Sequence, residues 1–286
     1  MAILTHRVRT ADSTRWRRLS GSISYAAGLL VLLLPTLFVF YWMFSLSLRN
    51  DADNLAYPPV FFPQQPSIKN YLYVFDRNPF FSYFINSLIV GIGSTSLSLL
   101  FGIPAAYGIA RWKHQRLALA ILVARLIPGL SYLIPWYILS RSVGLTDSYT
   151  TLILTHTVVG MPIVVWVMIS FFEDIHPELE EAALVDGCGP FGSFLRIALP
   201  LTLPGISVAG TLAFLPSWNN FVFSVILGGP QTRTLPVAVF NMMSYEQVNW
   251  GPLAAAALVV TLPVLVLTLF SQRYILAGLT AGGVKG

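Results

Sequence analysis

The sequence predicts an all-α, polytopic membrane protein with about six transmembrane helices. Composition is the first reason: 55% of the 286 residues are hydrophobic and only 10% are charged, against roughly 25% charged in an ordinary soluble domain. So few charges cannot cover a water-exposed surface of this size, so lipid covers much of it. The second reason is a series of apolar runs near the roughly 20 residues needed to cross a bilayer. The third is that Lys and Arg gather at the ends of those runs, where they set orientation and meet anionic lipid.

The first run, Ile23 to Leu48, follows a basic arm with Arg7, Arg9, Arg15, Arg17 and Arg18. It is too long for a signal-peptide core and no A-x-A site follows, so it reads as a retained helix. Tyr41 and Trp42 fit an interfacial aromatic belt near its far end. A polar segment, Arg49 to Pro79, holds Pro58, Pro59, Pro63, Pro66 and several aromatics, the composition of a structured external loop.

The second run, Phe80 to Ala110, contains Pro104, a kink candidate, and Gly91, Gly93, Ala105 and Ala106, which permit close helix approach. The third, Leu117 to Leu139, contains Pro128 and Pro135. The fourth spans Thr151 to Phe172, the fifth Gly205 to Leu227 and the sixth Pro252 to Phe270. The chain thus divides into a basic N-terminal arm, 1–22, a membrane domain, 23–270, and a Gly-rich tail, 271–286.

Six spans put both termini on one side. With the N-terminus inside, the inner segments hold eleven basic residues (the five of the arm, Arg111, Lys113, Arg116, Arg196, Arg273 and Lys285). The outer segments hold five, Arg49, Lys69, Arg77, Arg141 and Arg233. The excess favours cytoplasmic termini. The single cysteine, Cys188, excludes an internal disulfide and reads as a small buried thiol.

The inner segment 173–204 is several times longer than the two to eight residues that usually join packed helices. It also carries helix punctuation. Pro177 suits a first turn, where its missing N–H costs nothing. Glu178, Glu180 and Glu181 oppose the positive dipole end. Leu179, Ala182 and Ala183 form a narrow face of small residues, and Gly187 fits a C-terminal cap. Pro190 starts a second short helix, Phe191, Phe194, Leu195 and Ala198 share one face of it, and Pro200 is expected to stop it. An amphipathic helix resting on lipid is usually rich in Lys and Arg. This one is acidic, which favours docking to a protein.

Glu181-Ala182-Ala183, Gly187, Ile197, Leu199 and Pro200 reproduce the spacing EAA, three residues, G, nine residues, I-x-L-P. That pattern resembles the EAA loop of importer-type ABC transporter permeases. Asp186, Pro204, the Trp218-Asn219 pair and the ending Gly278 to Gly286 are similar to the MalG-like branch of carbohydrate permeases. The resemblance implies a type I importer permease fold, in which the loop docks in a groove of a cytoplasmic ATP-binding subunit dimer. ATP and Mg would be bound there, and this chain would hold no cofactor. It further implies a second permease subunit, commonly a different chain, an extracytoplasmic solute-binding protein, a carbohydrate substrate and a bacterial or archaeal cell membrane. Glu181 would anchor the loop, Gly187 would form its turn, and the Gly-rich tail would reach towards the ATPase dimer interface.

Independently, none of Lys69, Lys113 and Lys285 lies in a G-x-x-x-x-G-K-[ST] phosphate loop. If transport is ATP-driven, the ATPase is a partner. No metal or catalytic set is visible: His6, His114, His156 and His176 fall in different segments, and span hydroxyls such as Ser87 and Ser94 have no acid–base partner nearby. His156 reads as a bonded core histidine.

Polar residues inside spans are costly and often functional. Asn86, Trp218, Asn219, Asn220 and Arg125 are therefore the candidates for the solute pathway. Pro216 should bend or break the fifth helix, freeing backbone groups beside an indole and two amides, a set suited to a sugar's apolar faces and hydroxyls. The competing reading is packing, with Asn as interhelical glue, Trp as bulk and Arg125 snorkelling from a helix end. Two further function classes stand beside the importer: an ion-coupled secondary transporter, which needs membrane-embedded acids, and a membrane enzyme, which needs clustered catalytic groups. The substrate reads as a neutral oligosaccharide or disaccharide, with glycerol phosphate or another sugar derivative as the alternative; nucleic acid is not a partner.

Overall fold

The computed structural model describes residues 3–243 and 248–282, with side chains over 25–243 and 248–272. The arginines of the basic arm, and the Gly278–Gly286 ending, therefore lie outside the described side chains. Among the described residues the chain is helical, with one isolated antiparallel bridge between Met243 and Val248.

Two compact units are present, Met1–Tyr71 with Trp250–Ala255, and Leu72–Asn249 with Ala256–Gly286. The first holds α1 (Ile3–Leu48) and α2 (Asp51–Asn54). Over its described side chains, Tyr25–Leu48, α1 is apolar and long enough to cross a bilayer, and the helix begins well before the expected Ile23. α3 (Lys69–Arg77) leads from the first unit to the second.

The second unit is built on α4 (Phe80–Arg111), α7 (Tyr149–Glu173) and α11 (Leu203–Trp218), which pack mutually. Small residues let them do so. A Cβ at Gly91 would lie 2.7 Å from the Phe214 ring on α11, and one at Gly93 would lie 2.8 Å from Ile153 on α7. One glycine thus serves each neighbour, and Ala106 is wholly buried a few turns on. The main core joins Ile103, Ala106 and Ile109 of α4 to Val164, Met168 and Phe172 of α7.

The third expected span is not straight. α5 (Gln115–Arg125) and the segment Gly129–Ser142, a 3₁₀ turn (Gly129–Tyr132) followed by α6 (Leu133–Ser142), meet at 85°. Pro128 explains the break: it lacks an N–H, and a proline disfavours helical backbone at the residue before it, Ile127. Counting such bent pairs as single spans raises four long apolar helices to six, in keeping with the expected all-α, six-span class.

The expected fifth span is also interrupted. α11 runs through Pro216 and ends at Trp218, one turn before α12 (Val222–Leu227). The proline thus sits inside the last turn, and the break falls at Asn219–Phe221, where Asn220 Oδ1 accepts from the Phe223 N–H at 3.0 Å and starts α12. α13 (Leu235–Asn241) and α14 (Trp250–Gly282) complete the chain.

Candidate functional site

Between α7 and α11 the chain forms α8 (Pro177–Val185), α9 (Pro190–Ser193), a π-turn (Phe194–Ala198) and α10 (Leu199–Leu201). α8 begins with Pro177 and carries Glu178 and Glu180 in its first turn. It ends in a Schellman motif: the Gly187 N–H bonds Leu184 O at 3.1 Å and the Cys188 N–H bonds Ala183 O at 2.9 Å. Gly187 has φ +88°, the left-handed conformation that favours glycine. The chain thus turns sharply at Gly187, between the two short helices.

Pro200 stands one residue before the second helix ends, at Leu201. A π-turn precedes it, in which the Leu199 N–H reaches Phe194 O. That wider register accommodates the proline's missing donor. The helical path runs on to Leu201 and turns by 76° at Thr202, whose buried hydroxyl caps Ala198 O and Leu199 O.

The two short helices have distinct inner and outer sides. Ala183, Ser193, Phe194 and Ala198 are buried, and Phe194 and Ala198 belong to the main core. Phe194 packs on Tyr107 at 4.7 Å between ring centroids. Leu179, Glu181, Ala182, Leu184, Asp186 and Leu195 are exposed, Val185 is 87% exposed and Phe191 73%. The face expected from Leu179, Ala182 and Ala183 is therefore divided: Ala183 packs inward while the other two face out. The phenylalanine face is divided likewise, with Phe194 inside and Phe191 outside. Ile197 and Leu199 are half-buried and Pro200 is exposed.

Glu180, one residue before the EAA triplet, is buried and turned the other way. Its carboxylate is ion-paired with the Arg111 guanidinium; Arg111 Nε donates to Oε1 at 2.8 Å and the Tyr107 hydroxyl to Oε2 at 2.6 Å. Arg111 Nη1 also donates to Phe172 O at 2.9 Å. One guanidinium thus ties the ends of α4 and α7 to α8. The sequence offered no signal for this partnership, since 69 residues separate Arg111 from Glu180.

Residues 98–280, which include this segment and its buttress, match the family described as binding-protein-dependent transport system inner membrane component. The chain belongs to that family. Relatives are similar over almost the whole length. The sulfoquinovosyl glycerol transport system permease protein SmoH of Agrobacterium fabrum is 35% identical, over 90% of this chain and 91% of the relative. The trehalose transport system permease protein SugB of Mycobacterium tuberculosis is 34% identical, over 89% and 93%. In fold, the chain is similar to a bacterial ABC transporter involved in the import of the acidic polysaccharide alginate, with TM-score 0.75 and 20% identity, covering 91% of this chain and 98% of that one.

The pathway candidates of this transport component are dispersed. Asn86 is buried and fully engaged: Nδ2 donates to Gln231 O and Arg233 O at 3.0 and 2.9 Å, and Oδ1 accepts from the Tyr149 hydroxyl at 2.7 Å. It staples the 228–235 loop, which Ser87 Oγ also holds through the Leu235 N–H at 2.8 Å. Asp147 secures the same loop, accepting from the Thr232 hydroxyl at 2.7 Å and from the Thr232 and Gln231 amides. Trp218 is buried, its indole N–H bonded to Val260 O at 3.0 Å and its ring stacked on Phe214. Asn219 is exposed at the end of α11, and Asn220 starts α12. Arg125 is exposed at the end of α5. His156 sits in the core with Nδ1 2.7 Å from Ser217 Oγ, which in turn lies 2.9 Å from Ser94 Oγ.

Proposed function

We propose that this chain is the permease subunit of an ATP-driven importer for a carbohydrate, with 173–204 as the segment that couples it to a separate ATPase. The observation that carries the coupling role is the two-sided build of α8. Its outer side presents Leu179, Ala182, Leu184 and Val185 with Glu181 beside them, an apolar surface with an acidic member that water alone covers poorly. Its inner side is tied by an ion pair to Arg111 of α4, whose guanidinium also donates to Phe172 O of α7. A partner pressing on the outer side moves the membrane helices through the inner one. Glu181, Ala182 and Asp186 would meet a cytoplasmic ATP-binding subunit, one of a pair that binds ATP and Mg. Gly187, Ala183, Ile197, Leu199 and Pro200 would hold the shape of the segment.

Membership of a binding-protein-dependent transport family supports an extracytoplasmic solute-binding protein as the donor of substrate. A second permease subunit, a different chain, would complete the pathway. The basic residues of the arm 1–22 and the tail 271–286 support cytoplasmic termini in a cell membrane. Relatives named for trehalose and for sulfoquinovosyl glycerol support a sugar substrate, the first a neutral disaccharide and the second a sugar derivative. A neutral disaccharide or oligosaccharide is the leading reading; a charged sugar derivative is the second. Among the candidates, Asn219 and Asn220 at the helix break are the better placed for solute, since the polar groups of Asn86 and Trp218 are already bonded within the protein.

The test is co-purification and uptake. Glu181→Lys should weaken retention of the ATP-binding subunit and abolish ATP-driven uptake while membrane insertion stays normal. Retention and uptake equal to wild type would overturn the coupling role. Screening the co-purifying solute-binding protein against neutral and acidic sugars by thermal shift decides between the two substrate readings.

A further inference from the structure

The loop after α1 folds back along the helix it has just left. Tyr41, Ser45 and Arg49 stand at i, i+4 and i+8, one above another on a helix face, and all three donate to a single acceptor, the carbonyl of Phe61. The Tyr41 hydroxyl reaches it at 2.7 Å, Ser45 Oγ at 2.8 Å and Arg49 Nη2 at 2.9 Å. Arg49 is buried, and its guanidinium lies 4.6 Å from the Trp42 ring. The Phe61 ring packs edge-on against Trp42 at 5.6 Å and the Phe62 ring against Tyr41 at 5.9 Å. The chain then returns to the helix end: the Ser67 N–H bonds Leu48 O, and Asn70 Nδ2 bonds Ser47 O and Arg49 O.

The segment Tyr57–Pro63 therefore dips between two anchor points at Leu48–Arg49. At 1.5 Å per residue, Trp42 lies about 9 Å below Leu48, and helical side chains lean further towards the N-terminus. A hydrocarbon core of about 30 Å takes roughly 20 residues. Counted from Ile23, the start of the apolar run, that reaches Trp42. Phe61 and Phe62 thus stand level with the end of the hydrocarbon, not above it.

Chemistry agrees with that depth. No charged residue occurs between Leu55 and Ile68. Tyr57 is 96% exposed and Phe62 73%, with Pro58 and Pro59 exposed beside them. Pro58, Pro59, Pro63 and Pro66 carry no N–H to leave unpaired, and the Phe61 carbonyl is saturated by three donors. The N–H groups of Tyr57, Val60, Phe61 and Phe62 have no partner among the described residues, so the segment belongs at the hydrated headgroup boundary, where water can meet them, and not within the hydrocarbon. The exposed rings continue the lipid-facing surface of α1, where Leu37, Phe38, Phe40 and Phe44 are exposed.

We propose that Tyr57–Pro63 is a membrane-interface wedge, inserted at the headgroup–acyl boundary of the leaflet at the C-terminal end of α1. That leaflet is the outer one in the orientation proposed above. Its partner is lipid, and the Tyr41–Ser45–Arg49 ladder is what holds it at depth.

The test places a fluorophore at the wedge. The full-length chain with its co-purifying subunits, carrying Cys188→Ser and Phe62→Cys, is labelled and reconstituted in vesicles of phosphatidylcholine and phosphatidylglycerol. A label at Asp51→Cys, on α2, serves as the aqueous control. A nitroxide near the headgroup end of the acyl chain should quench the F62C label more than one near the methyl end, and aqueous iodide should quench it at least about threefold less than the D51C label. Ser45→Ala and Arg49→Gln, each removing donors to the Phe61 carbonyl, should shift the F62C label towards the iodide response of the control. Iodide quenching equal to the control would overturn the proposal. So would quenching by neither agent, the result expected if another protein covers the segment.

Discussion

Arg111, the last residue of α4, and Glu180, on α8, form the only salt bridge among the described residues. It joins a helix long enough to cross the membrane to a short helix of the 173–204 segment. Tyr107 completes the carboxylate's hydrogen bonds and Phe172 O takes another guanidinium N–H, so both charges are paired and mostly buried.

Removing one partner should therefore be costly, because the other charge is left buried and unmatched. Glu180→Gln or Arg111→Gln should lower stability by about 3 kcal/mol, read as a drop in the thermal midpoint in detergent. The exchange Glu180→Arg with Arg111→Glu should recover part of that loss. If the joint transmits motion, the single variants should lose uptake while the ATP-binding subunit still co-purifies and hydrolyses ATP. Glu181→Lys should instead lose the subunit itself.

Gly187 tests the turn between the two short helices. A Cβ there would meet no atom within 4 Å, so any cost of substitution is conformational. At φ +88°, Gly187→Ala should cost about 1–2 kcal/mol. Asn tolerates left-handed backbone better, so Gly187→Asn should cost less. Equal thermal midpoints for wild type and G187A would contradict the left-handed turn.

Asp147 predicts a pH dependence. Partial burial pushes its carboxyl pKa up, but the Thr232 hydroxyl and the amides of Gln231, Thr232 and Gly229 outweigh this and hold it below the ordinary value. A depressed folded-state pKa stabilises above the unfolded value, about 3.9. That stabilisation is lost as pH falls through the folded one. The stability gap between wild type and Asp147→Asn should be constant from neutral pH to about 5 and shrink only below about 4. A gap that closes between pH 7 and 6 would exclude the role.

Asn86 and Asn219 should separate cleanly. Asn86→Ala removes three part-buried hydrogen bonds and should destabilise by about 2 kcal/mol. The solute preference of the remaining folded transporter should be unchanged. Asn219→Ala, at an exposed position, should leave the thermal midpoint within about 0.5 kcal/mol of wild type and change the apparent affinity for solute in uptake. The reverse pattern would exchange their roles.

Much of this was legible in one dimension. Hydrophobic runs are set by the length of the bilayer, so α1, α4, α7 and α14 follow from hydropathy alone. Pro177, Gly187 and Pro190 act through their own backbone restrictions, and the helix start, turn and second start fall where those residues stand. Local rules were less able to say where strain is relieved. The helix that Pro200 was expected to stop does end one residue later, at Leu201, but a π-turn that no local rule called for precedes it; Pro216 lies inside α11, and the break comes at Asn219.

By itself, then, the sequence determined that this is a helical membrane protein with an acidic, helix-forming segment between its fourth and fifth spans, because length, polarity and backbone restriction are local properties. Tertiary structure alone decided which side each residue of that segment faces, that Glu180 belongs to Arg111, and that Asn86 and Trp218 are bonded inside the protein. Those outcomes depend on partners 42 to 147 residues away, and no local pattern encodes which distant donor a buried acceptor will meet.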